Sequence, residues 1–339
     1  MKKLAFNKLP KISVIIPVLN EEKKISDCLE SVVVQDYPRK LLEIIVIDDG
    51  STDKTVQIAR KFGAKVYYNG AKNIERGKSI GLSRATNEYV FLLDADNRLP
   101  HTGWLSKLIV SMQENPQVVG GEAIWFKYDS THGLVDRYCE LFGINDPMAF
   151  YFNRRDRLMA IEDRWNLPGE LLKETSDYYL IKFSRSNLLT VGSQGFLTKK
   201  SLLFKTNWQP YLFHMDSNMD LIDLGFNQYL MMKDSILHLH SQSIGQFIKK
   251  LQRNFILFLK QEPIRRYTWR TRPLKLFLVT LSMITVIRPT IDSLRGFIKK
   301  PDLAWFLHPL FSLVIPLVYI FYVVRGVQFK KVIKFDGTD

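Results

Sequence analysis

Two cysteines in 339 residues are too few for a disulfide framework, and Cys28 and Cys139 show no metal-ligand spacing. A reducing compartment fits. Acid is also in short supply: 34 Asp and Glu stand against 48 Lys and Arg, a formal charge of +14, so an anionic partner is expected. Nucleic acid, phosphorylated substrates and anionic lipid all qualify on charge alone. No glycine-rich phosphate fingerprint follows a strand-like run, which argues against a dinucleotide-binding enzyme. No RNA- or DNA-binding module signature occurs either, so nucleic acid is not the expected partner. Met1 to Lys11 carries Lys2, Lys3 and Lys8 but no apolar core, and it does not read as a secretory signal.

What is present is a chain rich in apolar residues, 46% hydrophobic and 12% aromatic, which excludes general disorder. Its length allows one large domain, or one domain with an appendage. The most informative stretch is Tyr89-Val90-Phe91-Leu92-Leu93-Asp94-Ala95-Asp96-Asn97. An apolar run reads as a buried strand, and two carboxylates one residue apart at its end place oxygen ligands on the rim of a sheet. Such a pair can hold a divalent cation and, through it, a diphosphate. An acidic turn after a strand is the plainer alternative.

Upstream, Ile12 to Pro17 predicts a strand, and the pattern of Ile25, Cys28, Leu29, Val32 and Val33 predicts a helix with Asn20 as its N-cap. Leu42 to Ile47 predicts a second strand, ending in Asp48-Asp49-Gly50-Ser51-Thr52-Asp53. A helix over Thr55 to Phe62 follows, capped by Thr52 or Asp53. A third strand over Lys65 to Tyr68, a short helix over Lys78 to Ala85 and a fourth strand over Tyr89 to Asp94 complete the alternation. This spacing predicts an α/β fold with a mainly parallel, doubly covered sheet. In it the Asp48-Asp49 and Asp94-Asp96 clusters share one crevice.

Pro17-Val18-Leu19-Asn20-Glu21-Glu22, Ile47-Asp48-Asp49-Gly50-Ser51-Thr52-Asp53 and Phe91-Leu92-Leu93-Asp94-Ala95-Asp96 occur in that order over the first third of the chain. In this the sequence resembles a family 2 glycosyltransferase of the GT-A fold, with a Rossmann-like sheet that binds a nucleoside-diphosphate sugar. The resemblance implies that Pro17, Val18, Asn20 and Glu21, with Asp48 and Asp49, hold the base and ribose. It implies Mg²⁺ or Mn²⁺ on Asp94 and Asp96 against the diphosphate, beside Ala95. Arg76 and Lys78 fall where the family has a basic residue, for a phosphate or base contact or as a solvated loop. Gly192 to Lys200 resembles the family's loop beneath the acceptor.

In His214-Met215-Asp216-Ser217-Asn218 the family's base position falls on His214 and its second Asp on Asp216. Three readings stay open: His214 is the base, Asp216 is the base, or none is needed because the acceptor is already an anionic lipid phosphate. His238 or His240 would complete the metal site. Lys249, Lys250 or Arg253 would reach the leaving diphosphate, although the Gln-x-x-Arg-Trp signature of processive synthases is absent. Glu122 to Thr190 mixes aromatics with charge at no clean period, and reads as an acceptor-binding insertion.

Phe247, Leu251, Phe255 and Phe258 share one side of a predicted basic helix, and Arg265, Arg266, Arg270 and Arg272 follow it. This suits the surface of an anionic membrane. Leu303 to Val324 is a run of 22 residues without a formal charge, kinked by Pro309 and Pro316. As a helix it is about 33 Å long, enough for a hydrocarbon core of about 30 Å. Leu274 to Ile287, with 14 residues stopped by Arg288-Pro289, is short for a span. Two crossings would place Arg288, Arg295, Lys299 and Lys300 outside, whereas a re-entrant or interfacial pair would not.

The expected organisation is a GT-A domain over 1–245 (nucleotide-sugar half 11–123, acceptor half 124–245). An interfacial segment over 246–272, membrane-attachment segments over 273–326 and a basic tail over 327–339 follow. The expected function is inverting transfer of a sugar to a lipid-linked acceptor in cell-envelope or polyprenyl-phosphate chemistry, at the cytoplasmic face of the cell membrane. The alternative is a catalytically silent membrane scaffold that binds nucleotide.

Overall fold

In a computed structural model of the chain, the residues described are 9–71, 73–192, 194–239, 243–267 and 273–326. His240, Arg270, Arg272 and the tail over 327–339 lie outside them.

Seven consecutive buried residues form β1 (Ile12–Val18), and burial on both faces is why this run does not alternate. After it come α1 (Ile25–Val33), β2 (Leu42–Asp48), α2 (Thr55–Lys61), β3 (Lys65–Tyr68), α3 (Ile74–Arg84), β4 (Tyr89–Leu92), β5 (Asn97–Arg98), α4 (Trp104–Glu114) and β6 (Gly120–Phe126). The second half supplies α5 (Leu134–Phe142), α6 (Pro147–Tyr151), β7 (Glu170–Glu174), β8 (Tyr178–Lys182), β9 (Phe196–Lys199), α7 (Lys200–Leu203), α8 (His214–Asp223) and β10 (Gln228–His238). Four helices close the chain: α9 (Ile244–Gln261), α10 (Pro273–Ile284), α11 (Ile287–Lys299) and α12 (Leu307–Gly326).

The strands form one 10-stranded sheet in the order β3-β2-β1-β4-β9-β6-β10-β8-β7, with β5 on β10. β1 pairs in parallel with β2 on one side and β4 on the other. The chain therefore changes direction across β1, and the carboxyl ends of β1, β2 and β4 border one crevice. Val14, Ile16, Ile44 and Val46 pack with α1 and α4 on one face, whereas Ile15, Ile45, Ile47 and Leu92 pack with α3 on the other. The doubly covered sheet is as the alternation predicts.

Three local expectations are corrected. α3 begins a turn before Lys78, because the Asn73 side chain accepts from the Glu75 and Arg76 N–H groups at 3.0 and 3.1 Å. Asn20 does not cap α1, whose N-cap is Lys24; with φ of 54° it ties two loops together instead. Its Oδ1 accepts from Thr52 N–H at 2.8 Å, and its own N–H donates to Ser51 Oγ at 2.9 Å. Asp53 accepts from Thr55 N–H at 3.0 Å, one residue ahead of the α2 N-cap, Lys54.

Near the C-terminus, α10 stops at Ile284, and Arg288 and Pro289 sit in the first turn of α11, where Pro gives up no helical bond. The pair is bent by 62° around Val286, a β-branched residue at φ 53°. Leu303–Arg325 is long and apolar enough to cross a membrane, and so is the bent pair if it is one span. Pro309 falls in the first turn of α12, so Pro316 alone interrupts the helix. The apolar side of α9 is not free for a membrane surface: Phe247 and Leu251 are buried, and Phe247 and Phe255 lie against Phe311 and Tyr319 of α12.

α3 lies close on the sheet because Gly77 and Gly81 face it; a Cβ at Gly81 would stand 2.3 Å from Ile15 Cγ2. Gly81→Leu is expected to destabilise the fold by about 1–3 kcal/mol, read as a lower denaturant midpoint at unchanged slope.

Candidate active site

A cavity of about 1910 Å³ opens at the carboxyl edge of β1, β2 and β4. From the edge itself come Pro17, Val18, Glu21, Asp49, Asp94, Ala95 and Asp96, and α3 adds Glu75 and Lys78. Opposite stand His214 at the start of α8 and His238 at the end of β10; α9 roofs the space with Lys249, Lys250 and Arg253.

The two acidic strand ends do different work. Asp49 Oδ1 accepts from Asn69 Nδ2 at 2.5 Å and borders the cavity. Asp48 turns back to accept from Ser51 N–H at 3.0 Å, closing the turn. Together with Asn20, it shapes the loops and does not line the space. Lys78 is 5% exposed and sits 3.8 Å from Asp94 and 3.9 Å from Glu75, whereas Arg76, two residues away, faces solvent. The helical register separates them.

His238 reaches Asp96 through the sheet. β5 and β10 pair antiparallel with Asn97 opposite His238, which brings Nε2 of the ring to 3.2 Å from Asp96 Oδ2. Lys250 Nζ is 3.4 Å from the same oxygen. Burial raises the proton affinity of both Asp carboxyls, but at Asp96 the attraction of His238 and Lys250 outweighs it and holds the group well below the usual range. At Asp94 burial and the neighbouring Asp96 prevail over Lys78, and its affinity is raised. Burial likewise raises Glu75 and Glu21.

Among the described residues, no three His, Cys, Asp or Glu side chains converge into a finished metal cage. Two carboxylates and an imidazole facing one cavity nonetheless suit a hard divalent cation that takes its remaining oxygens from a ligand. His240 lies outside the described residues.

His214 and Asp216 are also separated by the structure. His214 faces the cavity, and its Nδ1 is buried with no hydrogen-bond partner among the described residues. Burial first, then the cations Lys78 and Arg265, push its basicity well below the ordinary value, so the ring is neutral at pH 7. Gly192, at φ 96°, packs beside the base of this side chain, and a Cβ there would be 3.3 Å from His214 Cβ. Asp216 is 2% exposed and does not line the cavity. Its oxygens accept from Arg265 Nη2 at 3.3 Å and from Arg266 N–H at 2.9 Å, while Asp220 pairs with the Arg266 guanidinium at 2.7 Å. These arginines therefore anchor the segment after α9 onto α8.

Glu75 is legible as the i−3 partner of Lys78 only once the helix start is known, and the basic cluster after α9 gives no local sign that Arg265 pairs with Asp216. Glu122 was not foreseen. It is fully buried, pushed well up by burial and by Asp156, and accepts from Gly192 N–H at 2.9 Å. Arg157 donates to Asp156 at 2.5 Å and to the Gln194 carbonyl at 2.9 Å, so this cluster props the loop under His214. Arg155 is paired with Glu162 at 3.0 Å. Part of the charge in this stretch, Glu122 and Arg155 to Arg157, is thus internal.

A mainly parallel sheet with acidic strand ends around one cavity is the GT-A architecture. Residues 13–165 match the Glycosyl transferase family 2 model, and the chain carries a family 2 glycosyltransferase domain. It is 33% identical over 137 residues to glycosyltransferase AglE of Haloferax volcanii, covering 38% of this chain and 44% of that protein. It is 35% identical over 94 residues to the poly(ribitol-phosphate) beta-N-acetylglucosaminyltransferase TarS of Staphylococcus aureus, covering 26% of this chain and 16% of that one. The chain thus spans less than half the length of these relatives. In fold it resembles the mannosyltransferase PcManGT of Pyrobaculum calidifontis, solved with GDP-Man and Mn²⁺. That match has a TM-score of 0.53 and 17% identity, over 96% of this chain and 89% of that one.

Asp216→Ala leaves the Arg265 guanidinium, mostly buried, without its counter-ion. A loss of about 3 kcal/mol is expected, together with faster tryptic cleavage after Arg265 and Arg266, measured by denaturation and limited proteolysis.

Proposed function

We propose that this protein transfers a sugar from a nucleoside-diphosphate sugar to a lipid-linked acceptor, with inversion at the anomeric carbon, on the cytoplasmic face of a membrane. The observation that carries the reading is that one cavity holds both the Asp94-Ala95-Asp96 turn and apolar side chains of α10 and α12. Pro17, Val18, Glu21 and Asp49 border the part where base and ribose bind. Asp94, Asp96 and His238 hold Mg²⁺ or Mn²⁺, which when bound offsets the diphosphate charge and makes it a better leaving group. Lys78 and the α9 cations Lys249, Lys250 and Arg253 share that task, in a site whose burial strengthens each interaction.

His214 stands on the acceptor side, neutral and turned into the cavity. Asp216, spent on Arg265 and Arg266, is a strut in this reading. The exposed apolar faces of α10, α11 and α12 support a site beside a bilayer in this reading.

Asp94→Asn and Asp96→Asn are each expected to lower Mn²⁺-stimulated turnover of labelled UDP- and GDP-sugars, in the presence of membrane lipid, by at least ~100-fold. An unchanged rate would remove the metal assignment, and nucleotide binding without turnover of any donor by the unaltered protein would favour the scaffold. Lys250→Met removes a cation that competes for Asp96. Tighter Mn²⁺ binding to the nucleotide-free protein is expected, measured by electron paramagnetic resonance.

A further inference from the structure

The cavity is larger than one donor needs. At about 1910 Å³ it exceeds the range of about 300–1,000 Å³ usual for small-ligand pockets. Beyond the polar residues it continues beneath α9 to a wall formed by Leu276, Phe277 and Thr280 of α10 with Pro316, Ile320 and Val323 of α12. These two helices pack against each other. Away from the cavity Leu274, Leu278 and Phe321 are exposed by 48–68%, so the slot borders a surface that is costly in water and not in hydrocarbon.

The polar end of the same space is suited to an anion. His214 is an uncharged ring there, close enough to Lys78 and Arg265 for both cations to depress its basicity. Lys249, Arg253 and Lys260 line the cavity and form no salt bridge among the described residues. Among the described residues, three carboxylates of this region already have a basic partner: Asp216 is held by Arg265, and Glu75 and Asp94 by Lys78. A hydroxyl nucleophile would need a base strong enough to take its proton, whereas a phosphate monoester is already ionised at pH 7.

We propose that the acceptor is a long-chain lipid phosphate monoester, whose chain lies in the slot between α10 and α12 and whose phosphate oxygen is itself the nucleophile. This rests on the transferase reading above. An anionic phosphate oxygen attacks the anomeric carbon and forms a new C–O bond. The bond from that carbon to the donor's diphosphate breaks, and the nucleoside diphosphate leaves with the electron pair. No proton has to move; the product is a glycosyl phosphodiester, and His214 positions the nucleophile by hydrogen bonding.

The test uses the full chain in phosphatidylcholine nanodiscs with Mn²⁺, labelled by a diazirine-bearing dodecyl phosphate. Crosslinks are expected on the α10 and α12 peptides, displaced by dodecyl phosphate at least ~10-fold more readily than by dodecanol or by inorganic phosphate. Thr280→Trp and, separately, Ile320→Trp are expected to cut labelling by a similar factor, with UDP and GDP binding serving as the check on folding. Equal displacement by dodecanol would overturn the phosphate, equal displacement by inorganic phosphate would overturn the slot, and unchanged labelling in both Trp variants would overturn its location. Dodecyl phosphate should also accept sugar where dodecanol does not; transfer to dodecanol alone would overturn the nucleophile. Failure of the unaltered protein to bind UDP or GDP is a separate result that strikes the transferase reading, so the two failures are distinguishable.

Discussion

Two carboxylates one residue apart at a buried sheet edge repel each other and lose hydration, and this pair is tolerated because nitrogen-bearing side chains reach it from several elements. Lys78 comes from α3, His238 from β10 and Lys250 from α9. Each depends on a separate piece of packing: the glycine face of α3, the short β5–β10 pairing, and the docking of α9 on α12. The compensation is unequal, since Asp96 is held ionised by His238 and Lys250 while Asp94 is raised by burial. A pair poised in this way has a standing demand for positive charge, which a divalent cation with its diphosphate can meet.

α9 joins the two halves of the chain's chemistry. Its basic side chains roof the cavity, and its aromatic side packs on α12. The salt bridges of Asp216 and Asp220 to Arg265 and Arg266 then fix the strand of chain that leaves it. Amphipathicity here serves an interior joint as well as an exterior surface, and the hydrophobic periodicity is the same for both.

The parts of this structure legible in the sequence are those set by local chemistry. The β1, β2 and β4 runs are continuous because both faces are buried, and their acidic ends mark the crevice. The start of α3 was missed because its cap, Asn73, lies before an apolar pattern too weak to extend the helix upstream. His238 was a candidate, but its partner depends on a two-residue strand more than a hundred positions away in sequence, which no period encodes. Glu122 to Thr190 gave no clean pattern because Arg155, Asp156 and Arg157 are buried in ion pairs and Glu122 is buried against the Gly192 N–H, the reverse of what charge ordinarily signals. The roles of His214 and Asp216 were likewise open, since two neighbours at the head of a helix diverge only when Arg265 and Arg266 arrive from the far end of α9.

The polar side of α12 has a geometric consequence. His308 lies between the hydroxyls of Tyr138 and Tyr151, at 3.0 and 2.9 Å, and Tyr319 bonds Asp146, so the helix is bolted to the sheet domain along its length. A hydrophobic anchor on a slack tether would let the domain roam above a bilayer and sample head groups at many heights. α12 has no such slack. Seated in a membrane, it would hold the carboxylate pair at a single depth and tilt, so the protein would behave as a depth gauge, choosing among acceptors by how far their reactive group stands from the hydrocarbon.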